Sequence, residues 1–491
     1  MRLTAEQQNA LDLFGTGTSL AIEAGAGTGK TSTLRALAES TSRRGQYIAF
    51  NKAIVMEARE KMPRTVRSHT AHALAMASVG NRFRHRLNSE RIKSWQLAQM
   101  LQVDSIGVQA PQGYKNISAS YLAGLTMRAV VRFCQSADTE PQRRHVPIIE
   151  GIDHANPNGY KGGPNNDQVA AYLLPFVKRA WADVSSPTGK LPYRHDHYLK
   201  LWQLSGPKIG ADFILFDECQ DANPVMLAIV EAQTHAQRVF VGDSQQQIYS
   251  FTGAVNALQR IRDTGAPVSF LTQSFRFGPE VADMANRVLS MLDAELRLIG
   301  TDTIPSVIQP VADPNVILSR TNAIAVRNVL SAVREGKRVA LVGGGSEIVS
   351  FARAAERLME GGKVEHPDLA CFDSWAEVQE YVTEDAQGSE LRLMVDLIDD
   401  FTVPVILEAL DTTVAENGAD LIVSTAHKSK GREWGKVRLG EDFPEDPKGD
   451  FDEELRLLYV AVTRAKLELD IESVALLNED KRRGELPLNL I

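Results

Sequence analysis

The sequence predicts an α/β protein built on two cores with parallel sheets, each core interrupted by a mainly helical insertion. Three observations carry that expectation. Short apolar runs recur along the chain, and most lack strict alternation, the pattern of parallel strands covered on both faces. Helix-like stretches lie between several of them, as crossover connections require. The runs also fall into two groups, one ending near residue 270 and one starting near residue 315.

In chain order the first group of expected strands is SLAIEA (19–24), QYIAF (46–50), FILF (213–216), RVFVG (238–242) and VSFL (268–271). The second is NVILS (315–319), RVALVG (338–343), DLIVST (420–425) and LELDI (467–471). Expected helices include TSTLRALAEST (31–41) and IVSFARAAERLME (348–360). A long, basic, mainly helical insertion separates QYIAF from FILF and holds a loop-like stretch, HANPNGYKGGPNND (154–167), dense in Gly, Pro and Asn. A second, acidic insertion separates RVALVG from DLIVST. The domain plan is 1–80 with 205–270 as the first core and 81–204 as its basic insertion; 271–345 with 418–491 form the second core, and 346–417 its small acidic insertion.

At 43% hydrophobic and 24% charged, the 491 residues are those of folded domains, not of a disordered tail. With no apolar run of about 18 residues, no membrane span is expected. The N-terminal stretch MRLTAEQQNALDLFG lacks the pattern of a signal peptide. Cys134, Cys219 and Cys371 lie far apart without a CxxC, which argues against structural zinc and a disulfide framework and for a reducing, cytoplasmic setting. The net charge of −8 hides an asymmetry. Residues 81–200 hold 16 Lys/Arg against 9 Asp/Glu, and residues 351–420 hold 4 against 17. One segment can therefore attract phosphates while the whole chain stays acidic; two solvated surfaces of opposite sign are the plainer reading.

Residues 24–31 read AGAGTGKT between an expected strand and an expected helix. The spacing is that of a phosphate-binding loop, with Ala24 in the place of the usual first glycine. Gly25, Gly27 and Gly29, with Ala26 and Thr28 between them, can point successive backbone N–H groups at phosphate oxygens. The following helix adds its dipole. Lys30 is then the residue for the β- and γ-phosphates, and Thr31 a ligand for Mg²⁺. A chance glycine turn ahead of Lys-Thr is the competing reading, and the strand–loop–helix context weighs against it. FILF runs into DECQD, where Asp217, Glu218 and Asp221 place three acids within five residues. A phosphate loop resolves that repulsion. Asp217, directly after a strand, suits Mg²⁺ of a bound ATP, and Glu218 suits orientation or deprotonation of the attacking water.

Further motifs arrive in order, and with them the chain resembles the UvrD/Rep type of superfamily 1 DNA helicases over nearly its whole length. LTAEQQNA (3–10), FNKA (50–53), TAH (70–72), VGDSQQQIYSFTGA (241–254), QSFRF (273–277), STAHKSKGREW (424–434) and EELRLLYVAVTRAK (453–466) join AGAGTGKT and DECQD as the family's ordered motifs. QQQIYSF, LTQSFRFG and HDHYLKLWQLS (195–205) are most similar to the helicase core of the F-box DNA helicase branch. The resemblance implies two RecA-like cores with Mg²⁺-ATP between them. It implies that Gln7 reads the adenine edge, that Phe275 packs on adenine and that Glu433 binds the ribose or braces its motif. Gln246 would sense the γ-phosphate, Arg276 would reach it from the second core, and Arg464 would be the arginine finger. Phe50, Asn51, His72, Tyr249, Phe251 and His427 would contact single-stranded DNA, with Phe251 as a stacking platform. Core packing is the competing reading for Phe50 and Tyr249.

Two departures from the family pattern stand out. Ser32 follows Lys30-Thr31 where many relatives carry an arginine that stacks on adenine, which implies looser base selectivity, and Thr252 replaces a common arginine. The basic run NRFRHRLNSERIK (81–93), with Arg82, Arg84, Arg86, Arg91 and Lys93, is the expected duplex or backbone contact, part of it ordinary surface. The implied activity is a 3′–5′ DNA helicase or single-strand translocase acting on single strands and single/double-strand junctions. Two alternatives stay open: a translocase that strips proteins from single strands, and the motor subunit of a helicase–nuclease assembly. Replication or recombination proteins are the expected partners of the acidic insertion, and a bacterial or phage-infected cell, nucleoid-associated, the expected setting.

Overall fold

The structure is a computed structural model that describes residues 3–49, 52–87, 92–111, 113–149, 151–154, 162–248, 256–366, 368–370, 372–384, 389–443 and 451–478. Packing divides the chain into two compact units, Met1–Ala24 with Lys30–Leu271, and Gly25–Gly29 with Thr272–Ile491. Each carries one six-stranded sheet whose neighbours all run parallel. The α/β class with parallel sheets is the one expected.

The strands of the first unit are β1 (Leu20–Ala24), β2 (Gly45–Ala49), β3 (Val66–Thr70), β4 (Ile106–Ala110), β5 (Gly113–Ile117), β6 (Phe213–Phe216), β7 (Gln237–Gly242) and β8 (Val268–Leu271). The large sheet has the order β3-β2-β6-β7-β1-β8. β1, β2 and β6 are buried along their whole length, which is why they read as apolar runs. Phe14, Leu34, Leu37 and Val55 from flanking helices pack with Leu20, Ile22, Phe213, Leu215 and Val239 of the strands. Each such burial contributes roughly 1.5–3 kcal/mol before entropy is charged against it. β3 (VRSHT) escaped the sequence reading because it is the edge strand. Only alternate residues are pressed into the core, so no apolar run marks it.

The chain between β3 and β6 is helical in the main, with helices Ser94–Leu101, Ala119–Gln135, Pro164–Val184 and His195–Leu204. It departs from expectation in three places. β4 and β5 form an antiparallel hairpin, pairing Ile106 with Ile117 and Ala110 with Gly113. The last four residues of the Gly/Pro/Asn stretch, 164–167, open the helix Pro164–Val184, with the proline in the first turn where its missing N–H costs nothing; residues 155–161 lie outside the described residues.

The third departure is Arg86, which is not a surface cation. It is 5% exposed and donates to the backbone carbonyls of Asp183, Val184, Ser186 and Leu191, with the Asp183 carboxylate at 3.3 Å. It therefore caps the end of the helix Pro164–Val184 and holds the following loop. Arg82, Arg84 and Lys93 are exposed, and Arg91 lies outside the described residues. Arg86→Ala leaves several carbonyls and one carboxylate without their cation. The expected loss is about 3 kcal/mol, read in denaturant unfolding.

The second unit holds β9 (Val307–Ile308), β10 (Val316–Ser319), β11 (Val339–Leu341), β12 (Leu421–Thr425), β13 (Trp434–Leu439) and β14 (Ala465–Asp470) in the order β11-β12-β10-β13-β14-β9. β13 (WGKVRL) mixes polar with apolar residues and is only partly buried, so it too left no apolar run. Four helices, Ser346–Met359, Trp375–Glu384, Ser389–Phe401 and Val403–Asp411, lie between β11 and β12. Their acidic composition coexists with an apolar interior. Phe351, Leu358, Trp375, Val378, Ile398 and Ile406 pack together with Val326 and Leu330. The indole N–H of Trp375 donates to Asp399 at 3.0 Å. No helix among the described residues is long and apolar enough to cross a membrane.

Candidate active site

Strand β1 ends at Ala24 and the helix Lys30–Glu39 begins after five intervening residues. Gly27 and Gly29 take φ of 74° and 77°, a region that side chains resist, so glycine is needed there. The Thr28 hydroxyl donates to the Gly25 carbonyl at 2.9 Å and tightens the turn. Lys30 therefore stands at the start of a helix, where phosphate oxygens would also meet free backbone N–H groups.

The acidic end of β6 lies beside that lysine. Lys30 Nζ is 2.7 Å from Glu218 Oε1. Burial lowers the affinity of the Lys30 amine for its proton, but the carboxylates of Glu218, Asp217 and Asp243 more than offset this and hold it firmly charged. Asp217 is 2% exposed, and burial together with the adjacent Glu218 charge pushes its carboxyl up; Lys30 and a hydrogen bond from Tyr47 pull the other way. Glu218 itself sits at φ 50°, ψ 40°, a left-handed backbone that costs a non-glycine residue about 1–3 kcal/mol. That turn separates the directions of the two neighbouring carboxylates, sending one to Tyr47 and the other to Lys30.

Hydrogen bonds extend the cluster to the end of β7. Gln220 donates to Glu218 Oε2 at 2.6 Å and accepts from the Asp243 backbone N–H at 3.2 Å. Gly242 permits this close approach, because a Cβ there would meet Gln220 Oε1 at 2.1 Å. Gln246 is buried and donates to Asp243 Oδ2 at 2.6 Å. Cys219 is fully buried and burial raises its thiol well above the ordinary range, so it is a small packing residue.

Other expected site residues of the first unit are placed as follows. Gln7 is 2% exposed; its carboxamide accepts from Thr4 N–H in a capping box and donates to Thr33 at 3.2 Å. In this conformation it braces the first helix and presents little edge to a base. Thr31 and Ser32 are half-buried in the first turn of the helix Lys30–Glu39. His72 Nε2 is 3.6 Å from Asp196 Oδ1 and meets Tyr198 edge-on, so it joins the strand β3 region to the helix His195–Leu204. Phe50, Asn51, Tyr249 and Phe251 lie outside the described residues.

In the second unit, Arg276 Nε is 2.8 Å from Glu433 Oε2 and donates to the Thr463 carbonyl at 3.1 Å. Lys466 lies 3.4 Å from the other oxygen of Glu433. Partial burial raises the Glu433 carboxyl, but these two cations hold it below its ordinary range. Arg464 is 1% exposed and donates to the Val460 and Arg432 carbonyls and the Thr463 hydroxyl. Phe275 is 50% exposed, a ring still open to a flat partner. His427 is half-buried in the turn after β12. Residues from three distant motifs thus converge through Arg276, Glu433 and Thr463.

Sequence reasoning missed Tyr47. Its hydroxyl donates to Asp217 Oδ2 at 2.5 Å from the neighbouring strand β2. The available signal was a polar tip inside a fully buried strand, since a buried hydroxyl needs a partner. A hydrogen bond to the charged form lowers a carboxyl pKa. Tyr47→Phe therefore raises that of Asp217 further. The expected result is an acid limb of the ATPase pH profile shifted upward by about one unit, with a higher Mg²⁺ requirement, and recovery at alkaline pH.

The donor set suits a nucleotide-bound Mg²⁺. One buried carboxylate and one hydroxyl leave the remaining positions to phosphate oxygens and water, which is how Mg²⁺ is commonly held. Among the described residues no group of three or more His, Cys, Asp or Glu forms a closed metal cage.

Comparison with known proteins agrees with this chemistry. Residues 3–262 match the UvrD/REP helicase N-terminal domain, and residues 420–471 the UvrD-like helicase C-terminal domain. F-box DNA helicase protein 1 of Schizosaccharomyces pombe is 31% identical over 95% of this chain and 57% of its own length. F-box DNA helicase 1 of Gallus gallus is 30% identical over 95% of this chain and 48% of its own. The chain thus spans about half the length of the curated relatives it matches.

Proposed function

Since the chain belongs to the UvrD/REP helicase family, we propose that it is a Mg²⁺-ATP-dependent DNA helicase and single-strand translocase moving 3′ to 5′. The observation that carries the reading is the Lys30–Glu218–Asp217 cluster beside a glycine loop with two left-handed turns. Lys30 binds the β- and γ-phosphates, which draws it away from Glu218. Glu218 is then free to orient and deprotonate the attacking water. Thr31 and Asp217 would hold Mg²⁺, which would neutralise charge on the phosphoryl oxygens. Gln246 senses the γ-phosphate. Arg276 and Arg464, contributed by the second core, stabilise the charge of the transition state; Phe275 and Glu433 contact the nucleoside, Gln7 reads its edge only on leaving Thr33, and Ser32, in place of a stacking arginine, loosens base selectivity.

In the same reading, residues 81–204 and 346–417 are insertions in two RecA-like cores. Single-stranded DNA and its junctions are the substrate, held through Phe50, Asn51, His72, Tyr249, Phe251 and His427. Exposed cations Arg82, Arg84 and Lys93 add backbone contacts that weaken with salt. The acidic insertion, packed on an apolar interior it shares with Val326 and Leu330, repels DNA and suits a replication or recombination protein. The two relatives are eukaryotic and lend no support to a bacterial or phage setting. Strand displacement on 3′-tailed, 5′-tailed and blunt duplexes tests the reading. Unwinding of the 3′-tailed duplex alone is expected. Preference for a 5′ tail contradicts the direction, and filament removal without unwinding favours the stripping motor.

A further inference from the structure

Glu23 is a carboxylate in a place where the strand otherwise carries only apolar side chains. It is the penultimate residue of β1 and is 6% exposed. Its strand neighbour is Gly242 at the end of β7. Both oxygens are engaged by one residue: Oε1 accepts the Ser244 backbone N–H at 2.7 Å, and Oε2 accepts the Ser244 hydroxyl at 2.8 Å. Burial and the Asp243 charge push its carboxyl up to about 7, against the pull of the two Ser244 bonds and Arg262. A buried acid with no cation in direct contact among the described residues is a poor device for stability. What the contact does supply is position.

The segment it holds is a single 3₁₀ turn, Ser244–Gln246. So short a turn has little hydrogen bonding of its own and takes its place from neighbours. It carries Gln246, and it follows Asp243, whose N–H is tied to Gln220. Gln220 in turn holds Glu218, and Glu218 holds Lys30. The chain of contacts thus starts one residue before Ala24 and returns to the chain at Lys30. It closes around the two ends of the phosphate loop.

We propose that Glu23 is a positioning residue that clamps the Ser244–Gln246 turn to the strand feeding the phosphate loop, so that Gln246 and Glu218 keep a fixed arrangement about the nucleotide. The role rests on the ATPase reading above. Glu23 is bound to Ser244 and is none of the residues assigned above to nucleotide or Mg²⁺, so its loss acts on turnover and not on ATP binding.

The test uses the full chain with Glu23→Ala, Glu23→Gln and Ser244→Pro. Proline fits the first position of the turn, and Asp243 before it is already extended at φ −123°, ψ 103°. Ser244→Pro therefore removes both donors to Glu23 with the carboxylate itself intact. ATPase kcat and KM are measured with and without a saturating dT oligomer, beside thermal melts. Glu23→Ala and Ser244→Pro are expected to lower DNA-stimulated kcat by tenfold or more with ATP KM within threefold. Glu23→Gln, which keeps one acceptor, falls between them and wild type. Unchanged stimulated kcat in Glu23→Ala overturns the proposal. So does a loss of kcat in both variants that merely follows a collapsed melt or a matching rise in KM. A wild-type chain without ATPase activity instead refutes the ATPase reading, whatever Glu23 does.

Discussion

Lys30→Ala is expected to reduce DNA-stimulated ATP hydrolysis by at least about 10³-fold, to the background of the assay. Two effects act together. The variant loses the cation that would meet the β- and γ-phosphates, the one that stands 2.7 Å from Glu218 Oε1. It also removes the positive charge that Glu218, Asp217 and Asp243 share at Lys30. A pocket with more negative charge and no lysine then repels the triphosphate it should bind. ATP affinity is expected to fall together with kcat, which equilibrium binding of a fluorescent ATP analogue reads directly. Wild-type turnover in Lys30→Ala would remove the phosphate loop from the account.

Glu218→Gln should behave differently. The amide cannot accept a proton from water, so turnover is expected to drop by about 10²–10⁴-fold, the usual contribution of a general base. ATP binding should survive or tighten, because Lys30 no longer has a charged competitor at 2.7 Å for the phosphates. The variant should therefore accumulate as an ATP-bound, DNA-bound complex, visible as a stable gel shift that requires ATP. Loss of ATP binding would instead assign Glu218 to the support of Lys30. The contrast between the two variants, one failing at binding and one after it, separates the roles of the two partners of a single ion pair.

The parallel strands were legible because burial on both faces leaves unbroken apolar runs. FILF and VSFL match β6 and β8 residue for residue. What stayed hidden has common physical causes. The edge strand β3 and the partly exposed β13 bury too few side chains to leave a run. The hairpin β4–β5 lies in a segment whose charge drew attention away from its pairing. Arg86 looked like its exposed neighbours, since no local feature tells a cation that caps a helix about 100 residues away from one that faces solvent. At the site, Lys30, Asp217 and Glu218 could be read from motifs because adjacent residues in the chain define them. Tyr47, Gln220 and Glu23 act across strands. Their signal was the polar atom in an apolar setting, and that signal says a partner exists without saying which.

The left-handed backbone at Glu218 illustrates the same limit. Nothing in DECQD announces φ of 50° at a glutamate, yet that turn parts the Asp217 and Glu218 carboxylates and gives each its own contact. The proposed hydrolysis needs the two acids aimed differently, and the strained turn achieves this at adjacent positions.

The central claim is that this cluster hydrolyses ATP in response to single-stranded DNA. Steady-state ATPase activity of the wild-type chain, measured with Mg²⁺ as a dT oligomer is titrated in, tests it most directly. The account predicts low basal turnover, a saturable rise of tenfold or more with the oligomer, and no rise in Glu218→Gln. Turnover that is indifferent to DNA, or equal in wild type and Glu218→Gln, would contradict it.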